Sequence, residues 1–165
     1  MLVQTVDDHD VSVGVARRDQ VLREQQNFRV AHLFLFNSRG ELLLQQLAET
    51  RERHPLAWGA SVACYLFVGE TYGDAIRRRA LQELGCAIDG PVYLGKTSMQ
   101  DGGSLKFIGA FTARHDGPFT IDSAHIAQVE FVTLDQIVSE LASGSRSFTP
   151  TFRHLFGEFA AQLRG

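Results

Sequence analysis

Three polar side chains, Arg79, Gln82 and Glu83, are spaced by three and four residues, so on a helix they share one face. Glu70 stands just upstream, after Gly69, in a tight loop. A loop glutamate followed by a helix that aims polar groups at one place can build a metal or phosphate site. Clustered carboxylate oxygens suit a hard divalent cation, and guanidinium N–H groups suit phosphate oxygens. The same spacing also allows a plain Arg79–Glu83 surface pair worth roughly 0.3 kcal/mol. His125 precedes an apolar stretch and is either a base near neutral pH or a solvated loop residue. Asp122 and Glu130 are spare carboxylates nearby. His32 sits in an apolar run and reads as a core or inter-strand hydrogen bonder. His54 and His115 read as exposed. Arg77, Arg78 and Arg79 are consecutive, so on a helix they point in three directions and make no single patch.

These residues need a scaffold, and 165 residues leave room for one domain, 1–165. Apolar residues make up 44% and charged residues 21%, as in an ordinary globular chain, and the formal charge of −3 argues against a nucleic-acid binder. No apolar run is long enough to span a bilayer. Cys64 and Cys86 form no CxxC pair and read as small buried apolar residues in a cytoplasmic protein. Strands are expected near 11–16, 30–36, 41–46, 60–68, 92–94, 105–113 and 128–132, with 35–45 forming a hairpin around Asn37-Ser38-Arg39-Gly40. Residues 17–28 read as a solvated helix or connector, and 48–57 as an exposed loop. Helices are expected over 72–84, ended by Gly85, over 134–141, and after Thr149-Pro150. In the first of these, Ile76, Ala80, Leu81 and Leu84 form the apolar stripe. In the last, Phe152, Leu155, Phe156, Phe159 and Leu163 pack a core or serve an interface such as a homodimer. Strands and helices mix without strict alternation, which indicates α+β.

Residues 64–86 resemble the Nudix box, with matches at Glu70, Arg78, Ala80, Glu83, Gly85 and loosely Cys86. The chain departs from the pattern at Cys64, where the leading glycine belongs, and at Arg79 and Gln82, where two glutamates belong. The flanks, Leu35–Gln45, Pro55, Trp58, Ser61-Val62, Phe131–Asp135 and Phe148–Pro150, resemble the Nudix subgroup that contains isopentenyl-diphosphate isomerase. The likeness is clearest over 28–156. It implies a mixed β-sheet sandwiched between α-helices, and hydrolysis of a small-molecule diphosphate-linked compound (nucleoside diphosphate-X type), with Mg²⁺ or Mn²⁺ as cofactor. It makes Glu83 and Glu70 the catalytic residues that carry the remaining ligand role, with Glu83 the metal ligand, and makes Arg78 a structural partner that orients a glutamate.

Arg79, Gln82 and Glu83 sum to zero charge where the family's glutamates sum to −3. The resemblance therefore implies a hydrolase with weakened or altered metal dependence, or a non-catalytic module that binds a diphosphate or other anion through Arg79 and Gln82 without a metal. Isomerisation is disfavoured, because the isomerase's cysteine position is Ala63, its histidine position Tyr65, and its later glutamates fall on Ser104 and Lys106.

Overall fold

A computed structural model describes residues 1–165. Its spine is β3 (Asn27–Phe36), whose side chains alternate between two cores. Phe28, Val30, Phe34 and Phe36 feed one core, while Ala31, Leu33 and Leu35 feed the other. β3 runs parallel to β8 (Ser104–Arg114), from Phe28 opposite Lys106 to Phe36 opposite Arg114. It runs antiparallel to β6 (Val62–Tyr65), with His32 opposite Ala63. β1 (Leu2–Val6) meets the start of β3, and β2 (Ser12–Arg17) lies outside β1. β7 (Val92–Asp101) flanks β8. β4 (Leu42–Leu47) pairs with β5 (Trp58–Gly59) and with β9 (Ile126–Val132), completing a 9-stranded mixed sheet.

The sheet lies between helices, as the α+β reading requires. α2 (Tyr72–Leu84) covers one face through Ala75, Ile76, Ala80 and Leu84, all fully buried. Burying a side chain such as Ile76 is worth roughly 1.5–3 kcal/mol. Leu81 departs from the expected stripe: it is 60% exposed, and Ala75 takes its place. α1 (Arg18–Arg23), α3 (Leu134–Ser143) and α4 (Pro150–Arg164) contribute Val21, Ile137 and the phenylalanines of α4 to the other core. Phe152 stacks on Phe148 at 4.9 Å and on Phe156 at 5.6 Å, so the α4 stripe packs inward and is no interface.

One expectation is corrected. β3 and β4 pair only at Phe36 and Leu42, so the 35–45 hairpin parts almost at once. The cause is Ser61, which is wholly buried between them. Its hydroxyl accepts from Leu35 N at 2.9 Å and donates to Leu43 O at 2.6 Å, taking the backbone groups that would otherwise continue the ladder. The split frees β4 to pair with β9, the strand that directly follows His125.

Candidate functional site

A cleft of about 970 Å³ runs over the face of the sheet that carries Phe28, Val30, His32, Ala63 and Tyr65. That is room for a nucleotide-sized ligand. Its other walls come from α1, from the loop between β4 and β5, from α2, and from the residues just before β9. Seven cationic side chains line it, Arg17, Arg18, Arg51, Arg53, Arg78, Arg79 and Lys106, against three carboxylates, Asp19, Glu52 and Asp101.

The loop into α2 is tightly specified. Thr71 caps the helix: its hydroxyl accepts from Asp74 N, while Asp74 Oδ2 accepts from Thr71 N, both at 3.1 Å. Gly85 ends it at φ +66°, a left-handed conformation suited to glycine. Between these caps Arg78 holds Glu70. Its Nε and Nη2 donate to the two carboxylate oxygens at 2.5 and 3.0 Å, Nη2 also donates to Tyr65 O at 3.1 Å, and the guanidinium lies 3.7 Å from the Phe67 ring centroid. Phe67 N donates to Glu70 Oε2 as well, at 2.8 Å. Arg78 thus orients a glutamate, as the resemblance implies. Glu70, expected to share a ligand role, has both oxygens committed to holding the loop.

One residue on, Arg79 and Glu83 make a looser pair. Arg79 Nη2 lies 3.2 Å from Glu83 Oε2, and Nη1 donates to Gln82 Oε1 at 3.2 Å. Arg79 Nε and Glu83 Oε1 are both buried without partners. Burial pushes the Glu83 carboxyl above the usual range, with Arg79 opposing. Gln82 is exposed and outside the cleft lining, so of the expected anion-binding pair only Arg79 lies in the cleft.

His125 does reach the cleft. Its Nδ1 lies 2.7 Å from Asp122 Oδ2, which fixes the ring and leaves Nε2 for a ligand. The His125 contact holds the Asp122 carboxyl below its usual range. The loop carrying both is tied to α2, because Thr120 N donates to Leu84 O and Asp122 N to Glu83 O, each at 2.9 Å. Glu130, the other spare carboxylate, pairs with Arg146 at 3.1 Å, outside the cleft lining.

The rest of the cleft holds residues the sequence reading passed over. His32 is buried, as expected of a core residue, but its Nδ1 has no partner in any strand. Burial, then the nearby Lys106 charge, depress its pKa to about 3, so the ring is neutral. Lys106 donates to Thr151 Oγ1 at 2.7 Å and to Asp101 Oδ2 at 3.2 Å, and Arg53 also grips Asp101. Arg51 and Arg53 belong to the loop read as merely exposed. Cys64 turns to the other side, its Sγ 3.4 Å from Ala75 O, and burial pushes its thiol up to about 12. Ala63 and Cys64 both border the cleft, but the thiol is turned to Ala75 O, so no cysteine sulfur stands at the isomerase position, which is Ala63.

The NUDIX domain model matches residues 26–152. A Nudix hydrolase of Deinococcus radiodurans is 30% identical over 84% of this chain and 82% of its own length. An isopentenyl-diphosphate Delta-isomerase of Burkholderia multivorans is 27% identical over 89% and 86%. A crystal structure from Deinococcus radiodurans superposes with a TM-score of 0.81 at 26% identity, covering 96% of this chain and 98% of that one. The Nudix domain of Shewanella oneidensis NrtR, solved with ADP-ribose, shares the fold with a TM-score of 0.66 at 12% identity, over 90% and 99%. A loop glutamate locked by the helix arginine, within a sheet of this order and a sequence match of this length, identifies the chain as a member of the Nudix family.

Proposed function

We propose that the chain hydrolyses a diphosphate-linked small molecule in this cleft, with cationic side chains supplying most of the charge compensation. The observation that carries the reading is the excess of cations, seven against three carboxylates, in a cleft of ligand size. A diphosphate repels an attacking water through its own negative charge, and guanidinium groups relieve that repulsion while orienting the phosphates. Arg79 serves this role. His125 Nε2, with Nδ1 held by Asp122, takes a proton from water as the water oxygen attacks phosphorus. The bridging P–O bond breaks, and its electron pair leaves with the departing phosphate or phosphoester. Glu70 and Arg78 position the loop and helix and do not touch the reacting atoms.

Nudix hydrolases generally use a divalent metal, and the donor set of this cleft meets that need only in part. Glu83 Oε1 is a buried free oxygen, as a ligand should be. Glu83 Oε2, however, faces the Arg79 cation, and no three His, Cys, Asp or Glu side chains gather anywhere to share an ion. A hard dication wants several oxygens, so these residues do not fit one.

The test is turnover of a panel of nucleoside diphosphate-X and isoprenoid diphosphate compounds, each with Mg²⁺, with Mn²⁺ and with EDTA. Cleavage of at least one compound that persists in EDTA and is lost in His125→Ala supports the reading. Ligand-induced thermal stabilisation with no turnover under any condition reverses it in favour of a binding module.

A further inference from the structure

Five of the seven cleft cations have carboxylate partners, and in four of them the pairing leaves no buried donor unpartnered. Arg17 pairs with Asp19 at 3.1 Å, Arg78 with Glu70 at 2.5 Å, and Arg53 and Lys106 share Asp101 at 2.5 and 3.2 Å. The remaining three are Arg18, Arg51 and Arg79, and they come from three separate elements: the first turn of α1, the loop between β4 and β5, and the middle of α2.

Arg18 touches no carboxylate. Its guanidinium lies over the Tyr65 ring, 5.1 Å from the centroid, and Tyr65 stacks on Phe28 at 5.3 Å. Arg51 is half-buried, and its side chain makes neither an ion pair nor a hydrogen bond. Its basicity is lowered first by burial and then by repulsion from Arg18, with Arg79 adding to it and Glu83 the main opposing charge. Arg79 is 14% exposed and keeps a buried, unpartnered Nε–H. Glu83 is the only carboxylate that forms an ion pair with any of the three, and that pair is with Arg79. Arg18, Arg51 and Arg79 line the same cleft, Arg18 and Arg79 both bear on Arg51, and the three carry a net charge of +2 after Glu83 is counted. Desolvating like charges together without counterions is unfavourable. The arrangement becomes favourable when a compact dianion or trianion arrives.

We propose that Arg18, Arg51 and Arg79 form a metal-free clamp for a diphosphate group. Guanidinium forks bind phosphate oxygens in pairs, and three forks from three directions can enclose two linked phosphates. A divalent cation at the same place would meet three positive charges and one already paired carboxylate. The clamp stands where Nudix proteins otherwise gather metal ligands, and it changes the counterion from a dication to fixed side chains. It rests on the reading of this cleft as a diphosphate site, yet it concerns binding alone and stands or falls separately from cleavage.

The experiment is calorimetric titration of the full chain with inorganic pyrophosphate in EDTA, beside orthophosphate as the single-phosphate control. Pyrophosphate is expected to bind in EDTA, more tightly than orthophosphate, with affinity that falls as salt rises. Arg51→Ala and Arg18→Ala should each weaken it at least ~10-fold, the scale of losing a charge-assisted contact. Arg51→Lys should recover only part of the loss, because an ammonium keeps the charge but not the fork. Arg17→Ala removes the same charge from a cation that already has a partner, and should change the affinity less than about 3-fold. Melting each variant without ligand separates a lost contact from a lost fold. Binding that requires Mg²⁺ or Mn²⁺ overturns the proposal, as does equal loss in Arg17→Ala and Arg51→Ala, or no preference over orthophosphate. Metal-free clamping without turnover in the substrate panel removes the hydrolase reading and leaves the clamp intact. Turnover only with metal, and no binding in EDTA, removes the clamp and leaves a hydrolase.

Discussion

Two adjacent arginines on one helix hold two glutamates, and the pairs differ in how completely they are satisfied. Arg78 and Glu70 use both carboxylate oxygens, two guanidinium nitrogens, a backbone carbonyl, a backbone amide and an aromatic face. Arg79 and Glu83 meet through one contact and leave a buried nitrogen and a buried oxygen unpartnered. At the first pair both carboxylate oxygens are taken and no buried polar atom goes unpartnered, so it serves chiefly as architecture. The second has hydrogen-bonding capacity that only a visitor to the cleft can use. On this helix, incomplete satisfaction of buried polar groups separates the second pair from the first, although both carry the same charges.

The sharpest way to break that distinction is to remove each arginine in turn. Arg78→Ala should cost about 2–3 kcal/mol in urea unfolding, less than for a fully buried pair because both partners retain some water. Arg79→Ala should cost less, about 1–2 kcal/mol, because it strands the buried Glu83 carboxylate but removes a cation that Arg18 and Arg51 repel, and a carboxyl already pushed up by burial can take a proton instead. Equal losses would erase the difference between the pairs. Next comes His125→Ala, which should lower turnover of any diphosphate the panel identifies by at least ~100-fold, the usual scale of a general base. It should leave the urea midpoint nearly unchanged, as a site residue should and a structural one would not.

His32 extends the contrast to pH. Its folded pKa of about 3 lies below the ordinary 6.5, so below pH 6.5 the unfolded chain takes up a proton that the folded chain refuses. That part of the stability is complete above about pH 6.5 and is lost at roughly 1.4 kcal/mol per pH unit as pH falls toward the folded value. His32→Gln should flatten the acid limb of a stability–pH curve measured beside the parent chain. The smallest effect belongs to the satisfied side. Thr71→Ala breaks the capping box and should lower stability by about 1 kcal/mol, with pyrophosphate affinity in EDTA unchanged.

The legible parts of this molecule are the local ones. The bounds of α2 follow from Thr71, Asp74 and Gly85, three residues whose caps close within a turn of the helix. Thr149 and Pro150 announce α4 in the same way. β1 escaped notice because Leu2–Val6 is short, and only its pairing with β2 and β3 makes it a strand. The parting of β3 from β4 depends on Ser61, a residue 26 positions beyond Leu35 with no local signature. For the site, the helix face was readable from spacing, and Arg78's partner from the motif. Arg18 and Arg51 were not, because a charged residue in a polar segment reads as solvated until the chain folds it against others. His32 was placed in the core by its apolar neighbours, and no pattern in sequence reports that its Nδ1 goes unpaired.

The two amide-to-carbonyl bonds that moor Thr120 and Asp122 to the last turn of α2 have a mechanical consequence. Asp122 hangs from the main-chain oxygen of Glu83 itself, so a tilt of the helix carries the imidazole with it. The proposed base and the proposed phosphate-gripping cation are thereby mounted on one lever, so a movement of α2 would shift both together.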